Sequence, residues 1–286
     1  MKSLLYATDY SDASVAALHL SQVLSKMLNM RLVITHVYDL PTVLGTPLQG
    51  PFPNLQTDSR ISERQKLMEF YKTRLLKGYR PVDLRIEPVE NMSVLSGIIS
   101  KASEWHARLI VVGMKGESTL KEFVMGSTTK KLFDKAPCPV LSVPASHHIS
   151  QVHRLVYATD YEMEDLKALE KVVALAAAFD AEIRVVHVAS MEEKDDSTRM
   201  EWFRELALEK IRYPKLYFER IHSNDVMHTL QDYTRILHAD LIGMLEREPK
   251  GGVAKWFHRD LVKQMASQSS IPLLSFNEQN LQTLFF

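Results

Sequence analysis

Short unbroken apolar runs alternate along the chain with stretches in which apolar residues return every three or four positions. Leu4-Leu5-Tyr6-Ala7, ended by Thr8-Asp9-Tyr10, has the form of a strand buried on both faces. Ala16, Leu20, Val23, Leu24 and Met27 follow helical spacing, with Ser11 or Asp12 placed to cap that helix. Ile34-Thr35-His36-Val37 predicts a second strand ending at Val37. Ile61, Met68, Tyr71 and Leu75 predict a helix closed by Gly78, then Leu84, Ile86 and Pro88-Val89 a third strand, and Val94, Leu95, Ile98, Ile99 and Ala102 a third helix. Leu109 to Val112 and Val140 to Val143 are further buried strands, with a short helix opening at Ser127 between them. The order β-α-β-α-β-α-β-α-β implies a parallel sheet with helices on both faces.

The pattern occurs twice. Leu155-Val156-Tyr157-Ala158-Thr159-Asp160-Tyr161 repeats the first strand 151 positions later, and Val185-Val186-His187-Val188 repeats the second at the same offset. Leu166, Leu169, Val172, Val173 and Ala176 restate the first helix. His106-Ala107-Arg108-Leu109-Ile110 matches His238-Ala239-Asp240-Leu241-Ile242 at an offset of 132, so the second copy is 19 residues shorter (151 minus 132) between these landmarks. The excess lies in Leu40 to Asp58, whose four prolines and two glycines suit neither helix nor strand. It reads as a long loop, either a lid or a plain surface insertion. The fold class expected is α/β, two repeats of a doubly wound five-stranded parallel sheet of Rossmann-like type. Expected domains are 1–146 and 151–278, with Ala145 to His153 as linker and an apolar tail over 279–286. That tail packs on its own chain, packs on a second protomer, or is a disordered end.

Composition narrows the function classes. Thirty-five basic residues balance 35 acidic ones, which leaves no whole-chain electrostatic footprint for nucleic acid or an anionic membrane. No apolar run approaches the ~18 residues of a membrane span. The single cysteine, Cys138, cannot form an internal disulfide and suits a small buried thiol in a cytoplasmic protein. His147-His148 and His153 have no carboxylate or cysteine beside them. His222, His228, His238 and His258 lack a two-histidine helical spacing joined to a third ligand, so no metal site is expected.

Ligands of a doubly wound sheet bind beyond the carboxyl ends of the strands, where the strand order reverses. Asp9 ends the first strand, Val37 the second and Gly113 the fourth. An acid at a strand end accepts from an adenine amino group or a ribose hydroxyl, or simply caps the next helix. Gly113, Gly116 and Gly126 punctuate the loop before Ser127 and Thr128. Glycine lets backbone approach an anion, and a helix start offers free N–H groups and a positive dipole end. The plainer reading is a strand-to-helix turn with glycine breakers. Lys115, Lys121, Lys130 and Lys131 surround this loop, and solvated lysines are common in such places.

Gly113, two residues, Gly116, nine residues, Gly126-Ser127 is the nucleotide-binding signature of the universal stress protein family, and the chain resembles a tandem member of it. Ala7-Thr8-Asp9-Tyr10-Ser11, His36-Val37 and Pro137-Cys138-Pro139-Val140-Leu141 extend the likeness. The resemblance implies that Asp9 contacts adenine, that Val37 lies beside the base, and that the Val112 backbone lies near the ribose. It implies that Gly113, Gly116, Gly126, Ser127 and Thr128 cradle ribose and phosphates. Ala7 stands where the family commonly has a proline near the base. The implied ligand is an adenine nucleotide, ATP with AMP or ADP as alternatives, and Mg accompanying ATP. The family also implies pairing of last strands, here Val140 to Val143 with Leu273 to Phe276 as an intramolecular pseudo-dimer, with a homodimer as a further level. No nucleic-acid or membrane partner is expected. A slow ATPase or nucleotidyl-transfer enzyme and a scaffold without nucleotide are the alternatives; neither a Walker lysine motif nor a serine nucleophile elbow occurs.

The second copy departs at the cradle. Gly113 aligns with Leu245, Gly116 with Glu248, and Gly126-Ser127 with Arg259-Asp260. Side chains there, with carboxylates at Glu246, Glu248 and Asp260, crowd and repel a polyphosphate. Asp160 and His187 read as structural remnants, and Gly251-Gly252 as an ordinary glycine pair, with a substitute anion loop the less favoured reading. The second domain is expected to serve assembly or partner and ligand recognition.

Overall fold

A computed structural model describes residues 2–39, 53–80, 83–114, 126–147, 151–192, 197–247 and 261–282, the side chains of 53–58 and 197 apart. The first half runs β1 (Ser3–Ala7), a 3-10 turn (Asp12–Ser14), α1 (Val15–Met27), β2 (Arg31–Thr35), β3 (Val37–Tyr38), α2 (Pro53–Thr73), β4 (Leu84–Ile86), β5 (Val89–Glu90), α3 (Val94–Glu104), β6 (Ala107–Met114), α4 (Ser127–Lys135) and β7 (Val140–Pro144). The second half runs β8 (Arg154–Ala158), α5 (Met163–Phe179), β9 (Glu182–Ala189), α6 (Ser197–Lys210), β10 (Leu216–His222), α7 (Val226–Ile236), β11 (Leu241–Glu246), α8 (Leu261–Gln268) and β12 (Leu273–Asn277), closed by a 3-10 turn (Asn280–Gln282).

Ten strands form one sheet in the order β10-β9-β8-β11-β12-β7-β6-β1-β2-β4. Each half contributes five parallel strands, and in each the strand order reverses beside the first strand, between β1 and β6 or between β8 and β11. The halves join where β12 runs antiparallel to β7, with Leu274 opposite Leu141. This is the expected pseudo-dimer. The pairing removes two sheet edges that would otherwise present unpaired backbone groups.

Both sheet faces are covered, which is why the strands read as continuous apolar runs. Leu4 and Tyr6 join one core with α1, α2, α5 and α6, while Leu5 and Ala7 join the other with α3, α4, α7 and α8. Each core crosses the seam: Leu141 and Phe276 share the first, Val140 and Leu273 the second.

Several sequence expectations need correction. Met27, Ile61, Leu75 and Val94 are exposed large hydrophobic residues rather than core, and Leu67 and Phe70 supply the inner face of α2. The predicted 40–58 loop is too long, because α2 begins at Pro53. Proline fits the first helical position, where its missing N–H leaves no bond unmade. The rest of that loop, 40–52, lies outside the described residues. Val37 does not end β2 but starts β3 after His36, and Pro88 divides the third strand into β4 and β5 because it has no N–H for the ladder. Of the apolar tail, Leu281 is buried in its own chain's core, and 283–286 lie outside the described residues.

Candidate functional site

In the first half the chain leaves β1 beside the end of β6, with Ala7 opposite Val112. A tight polar turn follows. Thr8 Oγ1 lies 2.9 Å from Ser14 Oγ and accepts the Tyr10 N–H at 3.0 Å, and Tyr6 donates its hydroxyl to the Ser14 carbonyl at 2.8 Å. Tyr10 takes a left-handed φ of 64°. Asp9 Oδ1 accepts the backbone N–H and the hydroxyl of Ser11. Its Oδ2 accepts no hydrogen bond among the described residues, and the residue is exposed. Asp9 therefore shapes the turn with one oxygen and leaves the other without a hydrogen bond among the described residues.

Ala7, Val37 and Val112 sit around this strand end, each at most 9% exposed. His36 Nδ1 lies 2.8 Å from the Thr8 carbonyl and its ring stacks obliquely on Tyr10, centroids 4.2 Å apart. Gly97 of α3 lets Val37 in: a Cβ there would stand 2.8 Å from both Val37 methyls. Gly113 is needed for a similar reason. A Cβ at Gly113 would meet Ser14 Cα at 2.6 Å and the Ala13 carbonyl at 2.8 Å. Its missing side chain admits the chain's own backbone, a demand that glycine spacing alone does not reveal.

Gly126 is different, since among the described residues nothing lies within 4 Å of a Cβ built there. It is the N-cap of α4, with no side-chain cap and no acid in the first turn. Ser127 is exposed and Thr128 half-buried. The first N–H groups of a helix have no intrahelical partner, so this exposed end presents donors and a positive dipole that no described side chain caps. The crossover between the parallel strands β6 and β7 places the start of α4 at the carboxyl end of the strands, the same end as Asp9. Gly116 lies outside the described residues.

The second half keeps the frame. Tyr157 pairs with Gly243 as Tyr6 pairs with Val111, so the offsets of 151 and 132 hold in the sheet register. Tyr161 takes φ 58°, and His187 Nδ1 lies 2.7 Å from the Thr159 carbonyl. The polar centre has changed. Asp165, 1% exposed, occupies the place of Ser14 and accepts from the Tyr157 hydroxyl at 2.9 Å, Thr159 Oγ1 at 3.0 Å, and the N–H groups of Asp160 and Glu162, each at 3.1 Å. Arg247 reaches in from the end of β11. Its Nη2 is 2.6 Å from Asp165 Oδ2, its Nε 3.7 Å from Glu162 Oε2, and its Nη1 bonds Asp160 Oδ2. Burial by itself would lower the guanidinium's pKa, but the Asp165, Asp160 and Glu162 carboxylates outweigh it and hold it above its ordinary value.

Around this cluster lies a cleft of about 580 Å³ including its open mouth, lined by Ala158, Val186, Val188, Met244, Leu245 and Arg247 among others. Leu245 stands at the Gly113 position, as expected. Glu246 is not the free repelling carboxylate predicted from sequence: it is 6% exposed and paired with Lys263 at 3.1 Å. Glu248, Gly251-Gly252, His258 and Arg259-Asp260 lie outside the described residues. Asp165 and Arg247 went unnoticed in the sequence, yet the signal was there. Ser14 plus 151 is Asp165 and Lys115 plus 132 is Arg247, so an acid and an arginine stand at the counterparts of Ser14 and Lys115.

Among the described residues no helix is long and apolar enough to cross a membrane, and no group of three or more metal-ligating side chains converges. The fold and site define a doubly wound α/β protein in two fused copies, with an exposed helix start that no described side chain caps in the first. The universal stress protein family model matches residues 1–144, half of the chain, and the chain belongs to that family. It is 31% identical over 147 residues to the universal stress protein YxiE of Bacillus subtilis, spanning 97% of that protein but 49% of this one. A universal stress protein of Methanocaldococcus jannaschii is 26% identical over 142 residues, 81% of its length. These relatives thus correspond to one of the two repeats. The crystal structure of a universal stress protein from Archaeoglobus fulgidus superposes over 96% of this chain and 98% of its own, with a TM-score of 0.72 at 15% identity, a likeness of fold.

Proposed function

We propose that the first domain, 1–146, binds an adenine nucleotide, ATP with AMP or ADP as alternatives, in a cytoplasmic stress-response protein. The second domain, 151–278, serves assembly. The observation that carries this reading is the uncapped start of α4 at Gly126, open to solvent and on the same strand end as the spare oxygen of Asp9. In this reading Asp9 accepts from the adenine amino group, and Ala7, Val37 and Val112 wall the base. The backbone at Gly113, Gly116, Gly126, Ser127 and Thr128 receives ribose and phosphates, which Mg accompanies when ATP is bound. In the second domain three carboxylates surround one guanidinium, an excess of negative charge that opposes a polyphosphate.

Denaturing the purified protein and assaying released nucleotide tests the reading: about one equivalent of ATP supports it. Steady ADP production would favour an enzyme, and neither result a scaffold. Gly126→Asp sharpens the test. Aspartate is a good N-cap, so the helix should stay intact while the added charge repels phosphate. Nucleotide-dependent thermal stabilisation should vanish without loss of the nucleotide-free midpoint.

A further inference from the structure

The two halves meet along β7 and β12, but their side chains do not hold each other equally. Asn277, the last residue of β12 and 4% exposed, donates through Nδ2 to the Phe133 carbonyl at 2.9 Å and the Ala136 carbonyl at 3.2 Å. These carbonyls lie at the C-terminal end of α4 in the other half. The amide's orientation is fixed, because its Oδ1 accepts the Asn280 N–H at 2.9 Å and the Asn277 N–H donates to Asn280 Oδ1 at 3.2 Å. Lys263 of α8 supplies a second hold: its Nζ is 2.7 Å from Asp134 Oδ1 on α4 and 3.1 Å from Glu246 Oε1 at the end of β11.

The repeat offers a comparison within the molecule. At the offset of 133 set by the sheet register, Asn277 corresponds to Pro144, Lys263 to Lys130 and Asp134 to Ser267. Pro144 has no side-chain donor, and Lys130 is exposed without an ion pair among the described residues. Among the described residues this grip therefore runs one way, from the second half onto the helix whose start is exposed in the first.

We propose that Asn277 and Lys263 are positioning residues that aim the start of α4 at the phosphates of a bound nucleotide. The inference rests on the nucleotide reading of the first domain. At 1.5 Å per residue a nine-residue helix is a rod of about 13 Å, so a tilt of roughly 10° at one end displaces the other by about 2 Å. A shift of that size breaks N–H contacts to an anion, which need separations of about 2.7–3.2 Å. The base-side residues stand on β1 and the turn after it, on β3 and on β6, and are not carried by α4, so releasing α4 should cost phosphate recognition alone.

Dissociation constants for ATP and for adenosine, measured on the full chain, separate a positioning role from a merely structural one. Asn277→Ala and Lys263→Met should each weaken ATP at least tenfold and adenosine less than twofold, while Lys263→Arg retains ATP affinity. Lys263 is partly exposed, so its variants keep the test valid if Asn277→Ala folds poorly. Equal losses for both ligands, or unchanged ATP affinity, would overturn the positioning role while leaving the nucleotide reading intact. A wild-type chain that binds neither ligand would refute that reading and this inference with it.

Discussion

Nη2 of Arg247 lies 2.6 Å from Oδ2 of Asp165, a pair built where the first half has Lys115 and Ser14. Asp165 is 1% exposed, and its remaining contacts all come from hydrogen-bond donors that suit a carboxylate. Arg247→Met would leave Asp160, Glu162 and Asp165 close together without their cation. Removing one partner of a buried pair costs about 3–5 kcal/mol, and that loss is expected in urea unfolding. Arg247→Met combined with Asp165→Asn should lose less than the sum of the single changes, the mark of a direct interaction.

Gly113 and Gly126 should respond differently to the same methyl group. Gly113→Ala pushes a Cβ into Ser14 and Ala13 backbone, which cannot rotate away, so a loss of about 1–3 kcal/mol is expected. Gly126→Ala meets no described residue at φ −62° and should cost less than about 1 kcal/mol, the scale of an N-cap change. Denaturant midpoints of the two variants decide it; equal losses would contradict the packing role of Gly113.

Burial pushes the Cys138 thiol up to about 12, only partly offset by Arg108 and Lys171. Burial likewise pushes the Tyr6 hydroxyl up to about 12, with its Ser14 bond acting the other way. Both groups are neutral when protonated, and the unfolded chain releases these protons at lower pH than the folded one. Their contribution is therefore complete below the unfolded values and lost as pH rises from about 9 toward 12. Thermal midpoints should fall across that window, less steeply in Cys138→Ala. Native protein at pH 8 should resist thiol alkylation until denaturant is added.

Leu141 and Leu274 face each other across the antiparallel seam, both fully buried. Leu274→Asp places a charge opposite Leu141 and should separate β12 from β7, exposing two edges ready to pair with other molecules. Sedimentation should then show stronger concentration-dependent association than in the wild type.

The strands were legible because a strand covered on both faces leaves an unbroken apolar run, as Leu4 to Ala7 does. The repeat then supplied the register. Helix faces were less legible. Met27, Ile61 and Val94 keep helical spacing yet lie at the solvent margin of their stripes, which periodicity cannot separate from the centre. At the site, Gly113 and Gly126 look alike in sequence although one makes room for protein and the other meets no described residue. Arg247 and Asp165 lie 82 residues apart, and only the folded sheet ends show that the two substitutions answer each other.

The β7–β12 seam has a consequence for how such a molecule can change. In a dimer of identical subunits every substitution appears twice, so a residue harmful to one site cannot be accepted for the benefit of the other. Here one backbone carries both faces of the seam, and each position is written separately. Arg247 could enter one strand end without entering its counterpart, and Asn277 could reach across without requiring a reciprocal amide at Pro144. Covalent fusion makes the pairing independent of protein concentration, and so left one copy free to diverge while remaining the other's neighbour.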